Sequence, residues 1–174
     1  MRYKRAHWWI AGAVLLALVP LGVRIEHHLG HHGPLRTGDR LTPLSLASID
    51  GSTAILAPAG RPQVINVFAT WCTPCRSEMP AFALMAARFQ RRGIDVVGID
   101  QEESASQVTR FAREFALPYR VYIDRDGVTH TVLGARMIPT TIYVDGRGVI
   151  RWQHAGPLTQ QDMLDLALLV RSAG

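Results

Sequence analysis

The stretch Phe68-Ala-Thr-Trp-Cys72-Thr-Pro-Cys75-Arg-Ser-Glu78-Met-Pro80 decides the fold of this chain. Just before it, residues 64–68 read Val-Ile-Asn-Val-Phe, apolar on both faces apart from Asn66, as in a central strand covered by helices. After it, Met79, Phe82, Met85 and Phe89 recur at helical spacing through residues 76–92. The two cysteines therefore stand where a buried strand ends and a helix begins. A thiol at that point meets unpaired backbone N–H groups and the positive end of the helix dipole, both of which favour thiolate over thiol. Cys72 is expected to be the exposed, attacking thiol. Cys75, one turn in, lies beneath it and is placed to attack the mixed disulfide that Cys72 forms with a partner. Pro74 suits the first helical turn, where its missing N–H costs nothing.

Working outward, residues 44–49 and 53–56 flank Asp50-Gly51, a hairpin signal. Residues 94–99 form a second buried strand, and Val108, Phe111 and Phe115 mark a helix that ends before Pro118. A strand at 119–123, a turn at 124–127 and a short helix at 128–133 follow. Strands at 141–144 and 149–153 pair across Asp145-Gly-Arg-Gly148. The last helix opens at Thr159-Gln-Gln-Asp162, close to a capping box, and buries Met163, Leu166, Ala167 and Val170. A β-hairpin followed by β-α-β-α-β-α-β-β-α predicts an α/β domain, with a mixed sheet and helices on both faces.

The chain has 174 residues, enough for one domain and a tail. Its formal net charge is +5, but Arg2, Lys4 and Arg5 carry three of those charges within the first five residues. From Arg24 onward, 16 arginines stand against 14 acids, and no cluster of arginines is interleaved with aromatics. A nucleic-acid partner is excluded on that ground. The basic segment 1–7 precedes sixteen uncharged residues at 8–23, which span roughly 24 Å at ~1.5 Å per residue. Trp8, Trp9 and a snorkelling Arg24 extend that span. Basic residues before the run and few after it place the N-terminus in the cytoplasm and the domain outside. A cleaved signal peptide is the competing reading, although a small-x-small cleavage site is hard to find at 18–24. Residues 24–38 form a tether rich in His and Gly, with His27, His28, His31 and His32. These could bind a transition metal, but a solvated spacer is the simpler reading. The globular domain is expected from residue 39 to 174.

Two cysteines three positions apart cannot form a stabilising disulfide framework, because the ring they close constrains little of the unfolded chain. Half a zinc site would need two more ligands, and no second Cys pair exists. Reactivity is what remains. At this point the chain resembles the thioredoxin superfamily, and within it the TlpA/ResA/DsbE-like membrane-anchored thiol–disulfide oxidoreductases. The resemblance rests on residues 68–76, on Pro80, and on Ile138-Pro139-Thr-Thr. It rests also on the closing hairpin, Tyr143-Val-Asp-Gly-Arg-Gly-Val-Ile150 with His154-Ala-Gly-Pro-Leu158.

The resemblance implies a thioredoxin fold with an N-terminal β-hairpin extension, a cis bond before Pro139, and a Cys72/Cys75 redox disulfide. No cofactor is implied. With Pro139 beside the sulfurs, Ile138 and Thr140 would help bind an extended substrate segment. Glu78 matches an active-site Glu of ResA-like members; its alternative is a first-turn Glu that complements the helix dipole. Asn66 stands where cytoplasmic thioredoxins carry a buried Asp, which leaves Glu78 as the better proton carrier. Trp71 would shield the thiols or join the docking surface, unless it packs in the core.

Electron flow is expected toward the substrate, since Thr73-Pro74 carries no His to stabilise a thiolate. By the resemblance, partners are exported proteins with disulfides, apocytochrome c or a copper-site assembly protein. The electron donor would be a membrane thiol transporter, and the address the periplasmic face of the inner membrane with a single span. DsbE-like members often have Glu where this chain has Thr140, which weakens the cytochrome c-type biogenesis reading. A general disulfide oxidase and a copper-binding assembly factor are the alternatives. A peroxidase of the peroxiredoxin type is the third rival, disfavoured because no Pro lies at 64–69.

Overall fold

The computed structural model describes residues 34–57 and 60–172. The expected segment 1–7, the anchor at 8–23 and the tether through residue 33 lie outside these. Among the described residues, no helix is long and apolar enough to cross a membrane. The strands are β1 (Leu44–Ser48), β2 (Thr53–Leu56), β3 (Gln63–Phe68), β4 (Asp95–Gln101), β5 (Arg120–Asp124), β6 (Thr140–Val144) and β7 (Ile150–Ala155). The helices are α1 (Thr73–Gln90), α2 (Ala105–Glu114), α3 (Val128–Thr131) and α4 (Gln160–Ser172). The strands form one sheet in the order β2-β1-β5-β4-β3-β6-β7. β3, β4 and β5 run parallel, and every other pair is antiparallel. The sheet is mixed, as expected.

All six residues of β3 are buried, because β4 and β6 flank it and both faces are covered. Val64 and Phe68 face the core shared with α1, α2 and α4, through Phe82, Phe111 and Leu166. Ile65 and Val67 face a second core, closed by Leu41, Leu44, Leu133 and, at its edge, Leu35. Helices thus lie on both faces, but unequally: on the second face only the short α3 is helical, and residues 35–46 do much of the covering. Leu35 donates its N–H to the Val132 carbonyl at 2.7 Å, and Gly38 to that of Ile150 at 2.8 Å. The domain boundary expected at residue 39 is therefore corrected. The stretch 34–38 belongs to the fold, because its backbone bonds into the domain and Leu35 is drawn onto the core.

Local chemistry sets the remaining ends. Asp50 Oδ1 accepts from the Ser52 N–H at 2.9 Å, and Gly51 takes φ 89°, which turns β1 into β2. Thr159 and Asp162 form the anticipated reciprocal cap. The Asp162 N–H donates to Thr159 Oγ1 at 3.2 Å, and the Thr159 N–H donates to Asp162 Oδ2 at 2.8 Å. Helix α1 begins at Thr73, earlier than its apolar periodicity suggests, because Cys72 itself is the N-cap.

Gly98, in the middle of β4, leaves room for two rings. A Cβ there would come 3.0 Å from Phe68 Cε1 and 3.1 Å from Tyr119 Cε2. Gly98→Ala should therefore cost roughly 1–3 kcal/mol by overpacking. Urea unfolding of the oxidised protein measures this directly.

Candidate active site

Cys72 closes the turn that leaves β3, and its φ/ψ of −73°/108° is the extended geometry of an N-cap. Its sulfur accepts from the Cys75 backbone N–H at 3.2 Å. One of the helix's orphan donors is thus aimed at sulfur, where developing negative charge is best stabilised. Cys72 and Cys75 are joined as a disulfide. Cys72, expected to be the exposed thiol, is buried at 4% exposure, with Cys75 at 0%. A partner reaches the disulfide through the first sulfur or not at all.

Trp71 is 70% exposed, so it is no part of the core. Met137, just before the cis Ile138-Pro139 bond, is also exposed, while Ile138 is half-buried and Pro139 buried. The Thr140 side chain is fully buried and Oγ1 donates to the Met137 carbonyl at 2.5 Å, so it braces the proline turn and leaves any substrate contact to the backbone.

Glu78 lies on the buried stripe of α1 with Cys75, Met79, Phe82, Ala86 and Phe89. It is only 6% exposed and stands beyond the first turn, so the dipole-complementing reading does not hold. Oε2 accepts from the Leu158 N–H at 2.8 Å, and Oε1 is 3.4 Å from Asn66 Nδ2. Asn66 also donates to Thr141 Oγ1 at 3.2 Å, and its Oδ1 is buried without a partner among the described residues. Burial pushes the Glu78 carboxyl above its ordinary range, opposed by the Leu158 and Asn66 hydrogen bonds and by nearby His154. The arrangement is a buried carboxyl one helical turn beyond the buried sulfur, able to hold or release a proton.

Sequence reasoning missed the groups that hold the loop before Cys72. Glu103, 33 residues along the chain, accepts from the Thr70 hydroxyl at 2.6 Å and from the Thr70 backbone N–H. Arg76 donates to the Thr70 carbonyl at 3.3 Å while lying over the rings of Phe111 and Phe115. No spacing rule links these positions. The one available signal was that Arg76 falls inside the cysteine motif.

A model of the AhpC/TSA family matches residues 37–153. The thioredoxin-like protein YneN of Bacillus subtilis is 30% identical over 161 residues, which cover 89% of this chain and 94% of that protein. The thiol-disulfide oxidoreductase ResA of Halalkalibacterium halodurans is 25% identical, with 97% of each chain covered. Among solved structures, a thiol:disulfide interchange protein of the thioredoxin family from Chlorobium tepidum superposes with a TM-score of 0.64 at 27% identity. It covers 80% of this chain and 97% of its own.

Because Glu78 keeps its proton to a higher pH when folded than its ordinary value of 4.5, its contribution to stability is full below that value. The contribution falls as pH rises from 4.5 toward the raised value. Glu78→Gln should flatten that part of the profile. Chemical denaturation at a series of pH values across the window checks the sign.

Proposed function

The chain belongs to the AhpC/TSA family and is a thiol–disulfide oxidoreductase of thioredoxin fold; from that premise we propose that it reduces selected disulfides in exported proteins, with Cys72 attacking and Cys75 resolving. The observation that carries this reading is the seating of Cys72 at the N-cap of α1, with the fully buried Cys75 below it.

In the reduced protein, the Cys72 thiolate attacks one sulfur of the substrate disulfide, and the other substrate sulfur leaves as a thiolate that takes up a proton. Cys75 then loses its proton and attacks Cys72 Sγ of the mixed disulfide. The second substrate thiolate departs, and the enzyme is left oxidised by two electrons. Glu78 is the group we assign to accept or return the Cys75 proton. Trp71 and Ile138 form the docking surface beside the sulfurs, with Pro139 between Ile138 and the strand.

A buried carboxylate near the thiols disfavours their ionised form, stabilises the disulfide relative to the dithiol, and so lowers the potential. That supports a reductant over a general oxidase. A peroxidase of the peroxiredoxin type would need a free Thr hydroxyl to hold the peroxide, and the Thr70 hydroxyl is spent on Glu103. The basic segment and apolar run at 1–23 support anchoring in the inner membrane, with the domain on the periplasmic side and a membrane thiol transporter as donor. An apocytochrome c or a copper-site assembly protein is the kind of substrate we propose.

Cys75→Ala should accumulate mixed disulfides through Cys72 with a few specific proteins, and Cys72→Ala should accumulate none. Capture from the compartment followed by mass spectrometry decides this; a broad, unselective set would contradict the reading. Glu78→Gln should raise the midpoint potential by on the order of 30 mV, a tenfold change in equilibrium constant. Equilibration against a glutathione redox buffer measures it.

A further inference from the structure

A second buried carboxyl, Asp100, stands at the end of β4, three residues before the half-buried Glu103. Asp100 is registered beside Phe68 in the β3/β4 pair, level with the start of the turn that leads to Cys72. It is 0% exposed. Oδ1 accepts from the Glu103 N–H at 3.1 Å, and Oδ2 is buried with no hydrogen-bond partner among the described residues. The Glu103 carboxylate grips Thr70 through hydroxyl and N–H, Gln107 Nε2 steadies it at 3.4 Å, and Arg76 holds the Thr70 carbonyl. Every polar atom of Thr70 is therefore bound, two residues before the attacking sulfur.

An ionised Asp100, fully buried, would be repelled by the Glu103 carboxylate, and a buried oxygen with no donor is costly. A single proton on the pair removes both penalties. Burial and the Glu103 carboxylate push the Asp100 carboxyl up to about 8.

We propose that Glu103 and Asp100 are positioning residues of the redox pair: Asp100, as the acid, gives its hydrogen to Glu103, and the carboxylate so held clamps Thr70 and fixes the turn that delivers Cys72 to the head of α1. The clamp's importance for exchange rests on the Cys72/Cys75 reading; the clamp itself does not. As pH rises through the Asp100 value, the proton is lost, the two carboxylates repel, and the grip on Thr70 loosens. The other charged or titratable groups around the pair are Arg76 across Thr70 and three that line the cavity beside Trp71: Glu102, Asp124 and His130. Asp124 accepts from the backbone N–H groups of Val128 and Thr129 and from the Thr129 hydroxyl.

The test is amide hydrogen exchange of Thr70 in the oxidised full chain, expressed as protection relative to the intrinsic rate at each pH. Protection should fall about tenfold as pH passes through the Asp100 value, stay level in Asp100→Asn, and be low at every pH in Glu103→Ala. A level profile in the unchanged chain, or a fall that survives in Asp100→Asn, would overturn the proposal. Glu103→Gln and Glu103→Ala remove the same charge, but Gln keeps an acceptor for Thr70. Reduced Cys72 should therefore be alkylated about tenfold more slowly in Glu103→Ala than in Glu103→Gln. Equal rates would leave only a charge effect and defeat the clamp. If Glu103→Ala does not fold, the pH profile of the unchanged chain decides alone. An expected pH profile in a protein whose Cys72 never cycles would sink the redox reading and leave the clamp standing.

Discussion

A sulfur at the head of a helix is the constraint on which the rest of this molecule depends. The Cys75 N–H reaches Cys72 Sγ because three things coincide: β3 ends at Phe68, the chain turns within four residues, and α1 starts at Thr73. Move any of them by one residue and the cysteine leaves the N-cap. The burial of β3 on both faces serves that geometry, since a strand covered by helices and flanked by two neighbours has no freedom to shift register. The same is true of the aromatic stack of Phe68 on Phe111, with ring centres 5.1 Å apart, which ties the end of β3 to α2.

Around this centre the protein places carboxyls in dry surroundings on two sides of the chemistry. Glu78 enters from the buried face of α1 and is satisfied by the loop before α4. Asp100 enters from the end of β4 and works through Glu103. A domain that needed only stability would fill such positions with apolar side chains, since a buried carboxyl is costly to ionise. Their presence under the strand end and helix that carry the cysteines makes sense as proton handling and as control of the loop, both of which a thiol-exchange cycle requires.

Much of this was legible in the sequence, and the reasons are physical. Apolar runs between turn signals give the strands, the 3.6-residue spacing of apolar side chains gives the helices, and Thr159 with Asp162 announces its own cap. The cysteine pair speaks through position as well as spacing, since Pro74 and the apolar strand before it locate the helix start. What failed to show depended on contacts distant in sequence. The stretch at 34–38 reads as the end of a His- and Gly-rich spacer, and its bonds to Val132 and Ile150, with Leu35 on the core, show otherwise. Thr140 looked like a substrate contact because it follows the proline, yet its hydroxyl turns inward to Met137. Glu103 carries no mark at all, since what it holds lies on a different loop.

The most direct test of the central claim is a brief pulse of iodoacetamide on the reduced, folded protein, followed by peptide mapping of the label. Label is expected on Cys72, with almost none on Cys75 until the protein is unfolded. Label on Cys75 first, or on neither thiol while the fold is intact, would contradict the claim.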